Sequence, residues 1–484
     1  MSRSRSSMIG LAWLLGAHSI VQLVQLALLP VVTRIYGPTV VGSAGPLLAA
    51  AALLVPAMCL RMEYAALSTP KSSYSKYLFL VAGHLGVLAA VCVWTCTFIV
   101  LYALAQQPAH ISVVTASLLA LVCGAGAWGQ WVSMWTLRHK SIRLTSIMRS
   151  VLATAAPVAR CVGGWTGYTG FHAYVLAQCC GLLLVPAYLV STPAVWRPLR
   201  LRKVWMALNR NRSFAVWGST SATIAAGITS GPVLLAAAWL SQPAIGALVI
   251  TRTIGAVTIV AVGTALGDVL TGRFRALVSR GAIPELRDYS CRVIRAVTSV
   301  AFLVGAPAVW YGRELLPTLL GRDWSECATL WTYIAPAACV QAACSVFSPL
   351  FGILQRQRLH FFLSLGVTVL QLVALLAVFG GSVESCCIAI SVASSLAFCA
   401  GYISLLWSIG VKVSHVLVII CTRFSLSAAL FAVMLFASQV FGSTFAAGVY
   451  LLLSIFALSL TFGYRLGKQR RQVHPFYPDQ GEGQ

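Results

Sequence analysis

The chain has 484 residues, of which 59% are hydrophobic and only 9% are charged. Because soluble domains carry roughly 25% charged residues, this composition excludes an ordinary soluble enzyme and indicates an integral membrane protein. The formal net charge is +24, but its basic residues are spread over short segments between apolar runs. That distribution indicates membrane topology and attraction to anionic lipids, and it argues against a nucleic-acid partner.

Apolar runs that approach or exceed the ~20 residues needed to cross ~30 Å of hydrocarbon recur from end to end. The first continues through Pro30 without a small-residue cleavage site, so it is predicted to remain as a helix and not to be a signal peptide. The sequence therefore predicts an all-α integral membrane protein of about 14 transmembrane helices. The predicted spans are 9–33, 39–60, 77–105, 111–136, 144–166, 170–192, 213–240, 244–270, 293–311, 328–353, 359–380, 384–408, 413–439 and 443–464.

The lysines and arginines are sorted along these spans. If the N-terminus is cytoplasmic, 27 of the 34 fall on inner segments, and the opposite orientation would violate the positive-inside rule nearly everywhere. Both termini are therefore predicted to be cytoplasmic, and the longest outer loop is predicted at about 311–327. The seven exceptions are Arg34, Arg313 and Arg322 in outer loops, and Arg149, Arg160, Arg252 and Arg423 within spans.

Motifs of enzyme chemistry are missing from the sequence. It has no GxxxxGK[ST], HExxH or GxSxG pattern and no His/Cys cluster at metal-ligand spacing, so we expect no metal and no cofactor. Fifteen cysteines lie nearly all within spans, where cysteine behaves as a small apolar residue. A transporter is the leading interpretation. The enzyme alternative is an integral-membrane glycosyltransferase or polymerase, which the lack of a large outer loop and of paired carboxylates opposes.

Two short internal repeats indicate how the spans are organised. LLPVVTRIYGPTVVG at 28–42 resembles LLAAAWLSQPAIG at 234–246, and LRHKSIRL at 137–144 resembles LQRQRL at 354–359. Each pair lies on one side of the membrane, which predicts two parallel six-helix lobes. The predicted divisions are an N-terminal lobe 1–192, a basic cytoplasmic linker 193–212, a C-terminal lobe 213–410, two accessory helices in 411–464 and a cytoplasmic tail 465–484.

Several of these segments match a family pattern. Residues 28–42 place Arg34 and Gly42 where the family has Leu-Pro…Thr-Arg-x-Tyr…Gly, and LRMEYAALSTP at 60–70 supplies its Leu-Arg-x-Glu-x-Ala. The segment up to Arg252 and Gly255 and the segment 354–366 also match, whereas residues 37–40 lack the usual acidic and aromatic residues. On these motifs the chain resembles the polysaccharide-repeat-unit (O-antigen and exopolysaccharide) flippases of the multidrug/oligosaccharidyl-lipid/polysaccharide superfamily.

The resemblance implies a fold like that of the MATE transporters and a location in the bacterial inner membrane. It implies that undecaprenyl-diphosphate-linked oligosaccharide is moved to the outer leaflet by alternating access of two lobes. The implied partners are membrane lipids and the polyprenyl-diphosphate-linked glycan, with the polysaccharide polymerase and chain-length machinery as candidates. A multidrug or small-molecule cation antiporter of the same fold is the alternative. Glu63, at a membrane edge, is the only acid of the N-terminal lobe, which opposes it.

The anionic diphosphate of such a cargo requires a cationic cavity, and an arginine at bilayer depth costs about 2.5–3.5 kcal/mol on insertion scales. Arg252 lies eight residues into the eighth span and is predicted to face the cavity. Arg149 and Arg160 share one helix face and either form a cationic groove or snorkel to opposite interfaces. For Arg423, on the appended helices, pairing or snorkelling is favoured. Arg34 joins the cavity candidates.

The remaining candidates are polar residues with two interpretations each. Arg61 and Glu63 either form an ion pair that gates the lobes or mark the interface. Asp268 either couples transport to an ion or forms an interfacial salt bridge. Two polar stripes either face a water-filled cavity or make interhelical hydrogen bonds. The stripes are His18, Gln22 and Gln25, kept as cavity candidates, and Ser364, Thr368 and Gln371.

Overall fold

The computed structural model describes residues 21–69, 72–104, 106–139, 142–184, 201–354 and 356–414, together with seven positions between 416 and 425. Predicted span 14, most of span 13, and His18 and Arg423 lie outside this part. Every regular element in the described residues is helical. The fold is therefore all-α.

The helices of the N-terminal half follow the first six predicted spans in order. The second span is followed by a short extra helix, and the fourth helix ends in a π-helical turn at Val100–Leu104. The sixth span begins as an α-helix and continues as a 3₁₀-helix at Ala177–Leu184. The α-helices are α1 (described over Val21–Ile35), α2 (Pro38–Met58), α3 (Met62–Ser68), α4 (Ser72–Ile99), α5 (Ala109–His139), α6 (Ile142–Trp165) and α7 (Phe171–Leu176).

The C-terminal half begins after a ten-residue helix, α8, in the predicted basic linker. A π-helical turn at Ser213–Gly218 leads into α9, and another at Ala256–Val260 joins α10 to α11 within predicted span 8. The helices are α8 (Leu201–Arg210), α9 (Ser219–Ala236), α10 (Gln242–Gly255), α11 (Ala261–Ser279), α12 (Ile283–Leu320), α13 (Ser325–Ser345), α14 (Ser348–Ile353), α15 (Gln357–Ala377) and α16 (Val383–Ser408).

One predicted span and one predicted loop are wrong in length. Helix α12 has 38 residues where the sequence predicted 293–311, so it is about 57 Å long at 1.5 Å per residue. The outer loop predicted at 311–327 shrinks to the 3₁₀ turn Arg322–Trp324 between α12 and α13. Hydropathy detects only the apolar middle of such a helix. Its charged ends are still good helix formers and simply continue it.

Seven helices among the described residues are long and apolar enough to cross a membrane. Large aromatic side chains are exposed near helix ends at two levels, as expected where membrane proteins meet the lipid–water interface. At the end predicted to be outside, hereafter the outer end, they are Tyr102, Trp165, Tyr168 and Phe379. At the opposite, inner end they are Trp205, Trp217 and Trp407.

The two halves meet mainly through one helix. Helix α2 of the N-terminal half packs along α9 and α10 of the C-terminal half. Its contact face is made of small residues, with Gly42, Gly45 and Ala49 all buried. Small residues let two backbones approach closely, which is how helices associate in a membrane where hydrophobic burial gives no advantage.

Candidate substrate cavity

A cavity of about 260 Å³ lies between the two halves. Helix α2 forms one wall, α9 and α10 form the opposite wall, and α13, α15 and α16 close it. None of the described lining residues is acidic. The polar ones are Thr229, Ser230, Arg252, Thr253, Gln341, Gln371, Ser391 and Ser394.

Arg252 supplies the positive charge of this cavity. It lies on α10, and its Nη2 donates a hydrogen bond to the carbonyl oxygen of Ile228 on α9 at 3.0 Å. Within the described part of the chain the guanidinium has no other hydrogen bond and no ion pair. An arginine has five N–H donors, so most of them remain available to an anion in the cavity.

The backbone changes form immediately after Arg252. Helix α10 ends at Gly255 and the π-helical turn Ala256–Val260 follows, with Ala256 and Val260 also lining the cavity. Single π-helical turns inside α-helices are frequent at functional sites. Gly263, just beyond the turn, lies so close to α13 that a Cβ there would overlap the carbonyl oxygen of Ala342.

Gln371 forms a polar patch in the C-terminal part of the cavity wall. It is 1% exposed, and its Nε2 donates to Oγ of Ser394 at 2.6 Å, which joins α15 to α16. Its Oε1 has no hydrogen-bond partner among the described residues. Ser364 and Thr368, which complete the stripe, do not line the cavity, and Thr368 donates to the carbonyl oxygen of Ile224 on α9.

The outer end above the cavity is closed by contacts between the two halves. Trp324 Nε1 donates to the carbonyl oxygen of Thr33 at 2.9 Å, and the Thr33 hydroxyl donates to that of Leu320 at 3.2 Å. Arg34 is exposed and donates to the carbonyl oxygen of Thr318 at 3.0 Å. Arg34 therefore belongs to this closure, hereafter the outer clasp, and does not line the cavity.

The halves also touch at the inner end. A Cβ on Gly218, in the turn before α9, would lie 3.5 Å from Cβ of Arg61. Asn211 Nδ2 donates to the hydroxyl of Tyr74 on α4 at 3.1 Å. The halves therefore touch on both sides of the cavity, at the outer clasp and at the inner end.

Glu63 does not pair with Arg61. Its Oε1 accepts a hydrogen bond from Nε2 of Gln130 on α5 at 3.0 Å, while the Arg61 guanidinium lies over the ring of Tyr64 at 4.5 Å. Arg61 has a left-handed backbone with φ of 54°, and no ion pair joins it to Glu63 in the described part of the chain. The ion-pair interpretation is therefore wrong. Glu63 is 1% exposed and its Oε2 has no partner among the described residues.

Arg160 is held against α7. Its Nη2 donates to Oε1 of Gln178 at 2.9 Å and its Nε donates to the carbonyl oxygen of Tyr174 at 3.3 Å. The guanidinium also stacks on the Tyr174 ring, 4.0 Å from the centroid. Tyr174 lines the cavity and Arg160 does not, so Arg160 is placed behind the wall. The side chain of Arg149 lies outside the described part, which leaves the proposed stripe as a prediction.

The other polar candidates are placed away from Arg252. Gln25 donates to the carbonyl oxygen of Ala153 on α6 at 3.0 Å, which is the interhelical alternative, and neither it nor Gln22 lines the cavity. The backbone of Asp268 lies in α11. Its side chain, like His18, lies outside the described part.

Sequence reasoning missed several residues of the site. Gln341, Ser391 and Ser394 line the cavity, and Gln130 is the partner of Glu63. The available signal was a polar residue inside an apolar span, but that signal also marks ordinary interhelical hydrogen bonds. Tyr174 carried no signal, because aromatic residues at span ends are common in membrane proteins.

Comparison with known proteins gives no sequence relative. No protein-family model matches the chain, and no curated protein matches it. Solved structures do match. Lipid II flippase MurJ in an inward closed conformation aligns with a TM-score of 0.62 at 9% identity, over 96% of this chain and 99% of its own.

Multidrug transporters match over a smaller share of the chain. An inward-facing MATE family transporter of the MOP superfamily aligns with a TM-score of 0.60 at 12% identity, over 81% of this chain and 98% of its own. The Vibrio cholerae MATE transporter VcmN aligns with a TM-score of 0.52 at 12% identity, over 84% of this chain and 99% of its own. Identities this low establish the fold alone. The chain therefore has the multi-helix membrane fold of the MATE transporters of the MOP superfamily.

Proposed function

We propose that this protein is a flippase for lipid-linked oligosaccharides, moving undecaprenyl-diphosphate-linked repeat units from the cytoplasmic to the outer leaflet of a bacterial inner membrane. The observation that carries the proposal is Arg252, a guanidinium in the cavity between the halves with no acid among the described residues that line it. A cation at this depth is unfavourable unless it meets water, a carboxylate or an anion. The diphosphate, or an acidic sugar, supplies the anion.

The same cavity fits a cationic drug poorly. Among the described residues its lining has one arginine and no carboxylate, and a cationic ligand there would meet like charge. The hydroxyl and amide groups of Ser391, Ser394, Gln341 and Gln371 are suited to the hydroxyl groups of a glycan. Among the matching folds, the lipid II flippase has a lipid-linked substrate by its own name, and that precedent supports the cargo class.

The size of the cavity sets how transport would proceed. About 260 Å³ is below the 300–1,000 Å³ typical of pockets that bury drug-sized ligands. A whole oligosaccharide therefore requires the lobes to separate, first at the inner end and then at the outer clasp. The π-helical turn after Arg252 gives α10 and α11 a place to flex. The polyprenyl tail has no need to leave the hydrocarbon.

Glu63 is our candidate for coupling the movement to protons. It is buried, and its Oε2 lacks a partner among the described residues. Arg61, which contacts the Gly218 region of the other half, is the N-cap of α3. Gain or loss of a proton on Glu63 changes the hydrogen bond to Gln130 and hence the packing of α3 against α5. Asp268 remains the second coupling candidate, on sequence grounds.

The decisive experiment compares arginine variants in cells that depend on this gene. Arg252→Ala should abolish export of surface polysaccharide at normal membrane levels, with lipid-linked repeat units accumulating on the inner leaflet. Arg252→Lys should retain part of the activity, because the charge survives while the bidentate fork is lost. Arg313→Ala, an exposed arginine on α12, is the matched control and should export normally.

Two outcomes would overturn the proposal. If Arg252→Ala exports at the wild-type rate, the residue does not contact the cargo. If deletion of the gene leaves surface polysaccharide unchanged and creates drug sensitivity, the cation-antiporter alternative is correct. That alternative has one observation in its favour, the buried carboxyl of Glu63, but this group does not line the cavity.

A further inference from the structure

Helix α8 has a position that its sequence alone does not explain. Its last residue, Arg210, stacks over the ring of Tyr74 at 5.3 Å, and Asn211 donates to the Tyr74 hydroxyl at 3.1 Å. Tyr74 lies in the first turn of α4, where the apolar span Ser73–Ala103 begins. Two residues after Asn211 begins the π-helical turn Ser213–Gly218, which leads into α9. Helix α8 therefore ends at the level where α4 enters the apolar layer.

One face of α8 is packed on the protein. Ala207 is buried in the main core cluster, and Val204 and Leu208 pack against that cluster. These positions are three and four residues apart, so they form a single stripe. The stripe fixes the orientation of the helix. Arg202, Lys203, Trp205 and Met206 lie on its exposed side.

The outward side chains combine exposed apolar groups with positive charge. Trp205 is 71% exposed and Met206 is 52% exposed. Arg202 and Lys203 are exposed too, and neither has a hydrogen-bond or ion-pair partner in the described ranges. The ten residues of α8 include no acid. The helix therefore presents uncompensated cations beside a large indole at the membrane boundary.

This combination selects one kind of partner. A helix of ten residues is half the length needed to span a bilayer, so α8 does not cross the membrane by itself. Its exposed Trp205 and Met206 favour a place at the membrane surface. Interfacial helices bury Trp at the boundary between headgroups and acyl chains and place Lys and Arg among the headgroups. Anionic phospholipids complement such a face, and each basic residue near the surface strengthens binding several-fold.

We propose that α8 forms a binding site for an anionic phospholipid of the inner-end leaflet, in which Arg202 and Lys203 hold the phosphate and Trp205 lies against the upper acyl chains. The site is independent of the cavity and of the cargo. Its bound lipid would also restrain the two halves, because α8 is fastened to α4 through Tyr74 and leads directly into α9. Release of that lipid would free the inner contact.

The test measures lipid binding to the full-length protein in detergent by native mass spectrometry. Phosphatidylglycerol should bind the wild type at least tenfold more tightly than phosphatidylcholine does. Arg202→Gln with Lys203→Gln should weaken the tightest phosphatidylglycerol site by about tenfold to thirtyfold. Arg202→Lys with Lys203→Arg keeps the charge and should bind normally. Inorganic phosphate at millimolar concentration should not compete, since it lacks the acyl chains that Trp205 holds.

A matched control removes the same charge elsewhere. Arg275→Gln with Arg280→Gln changes two exposed arginines of the α11–α12 hairpin and should leave the tightest site intact. Equal weakening by both double variants would mean that lipid responds only to total charge, and it would overturn the proposal. Unchanged binding in the α8 variant, or competition by inorganic phosphate, would overturn it as well.

Discussion

Gly42 of α2 and Gly246 of α10 face one another where the two halves cross at the outer end. A Cβ on Gly42 would overlap the carbonyl oxygen of Gln242, and a Cβ on Gly246 would overlap that of Pro38. The relation is reciprocal. A Cβ on Gly42 would lie 3.0 Å from the amide nitrogen of Gly246, and a Cβ on Gly246 would lie 3.2 Å from the amide nitrogen of Gly42. Hydrogen is the only side chain that this crossing admits.

The crossing predicts that adding one methyl group prevents outer closure. Gly42→Ala or Gly246→Ala should force the backbones apart, at an overpacking cost of about 2 kcal/mol. That cost shifts the balance between closed and open states by about thirtyfold. We expect a matching loss of transport, with faster hydrogen exchange in peptides that contain the two glycines.

Gly366→Ala on α15 is the control, because a Cβ there meets nothing within 4 Å. Alanine favours a helix over glycine by about 1 kcal/mol, so the control should be neutral or stabilised. Wild-type transport by Gly42→Ala would show that the outer end never needs to close this tightly.

The outer clasp gives a second prediction through Trp324. Trp324→Phe keeps an aromatic ring but removes the Nε1 donor that the carbonyl oxygen of Thr33 accepts. Both residues are buried, and an unpaired buried acceptor costs about 1–3 kcal/mol. The melting temperature in nanodiscs should fall, and the turns at 33–38 and 321–325 should exchange faster. Trp165→Phe, at an exposed position, should change neither, and equal effects of the two variants would refute the clasp.

Glu63 predicts a dependence of stability on pH. Burial raises the pKa of Glu63 to about 7, although a backbone hydrogen bond and the charge of Arg61 lower it. An exposed glutamate titrates near ~4.3. Between these values the folded protein keeps a proton that the unfolded chain has lost, so the folded state loses stability as pH rises through this interval. Melting temperatures of the wild type should therefore fall relative to Glu63→Gln between about pH 4.5 and 7.

A second variant, Gln130→Leu, tests the hydrogen bond that Glu63 accepts from Gln130. Gln130→Leu removes the hydrogen bond to the Glu63 carboxylate, which should raise the pKa further and extend the loss of stability to higher pH. Parallel curves for wild type and Glu63→Gln would mean that Glu63 does not titrate in this range, and its coupling role would then be lost.

The orientation in the membrane is a prediction that needs no transport assay. The distribution of basic residues predicts which segments are cytoplasmic. Reporter fusions or thiol labelling should place Arg200, Arg280 and the tail after Arg465 inside the cell. The same methods should place Gln107, Trp324 and Ser382 outside. An outside location for residues 193–212 or 273–292 would reverse the roles of the inner and outer ends.

Much of the helical framework was readable from the sequence. Predicted span 39–60 corresponds to α2 (Pro38–Met58) and predicted span 384–408 to α16 (Val383–Ser408), within one or two residues. The starts of both helices are marked, that of α2 by Gly37 and Pro38 and that of α16 by the N-cap Ser382. The ends of α12 were missed by about ten residues, because charged residues there continue a helix that hydropathy reads as loop.

The interior of the site was readable only in part. The sequence singled out Arg252 by its depth and by the shortage of acids nearby, and the structure places it on the cavity wall. It also offered Arg160, Arg34 and Gln25, which instead donate hydrogen bonds to backbone or to Gln178. A polar side chain within a span has the same sequence signature whether it faces water, cargo or a neighbouring carbonyl group.

The sequence by itself determined the all-helical membrane class, because composition and hydrophobic length follow from the solvent that each residue must meet. It also indicated two related halves, since the matching turns at Pro38 and Pro243 each carry a glycine a few residues later. The tertiary structure alone decided that Gly42 meets Gly246, that Glu63 pairs with Gln130 and not Arg61, and that Arg252 lines the cavity. These contacts depend on how each helix is rotated about its axis and on pairings between residues far apart in the sequence, which local periodicity does not encode.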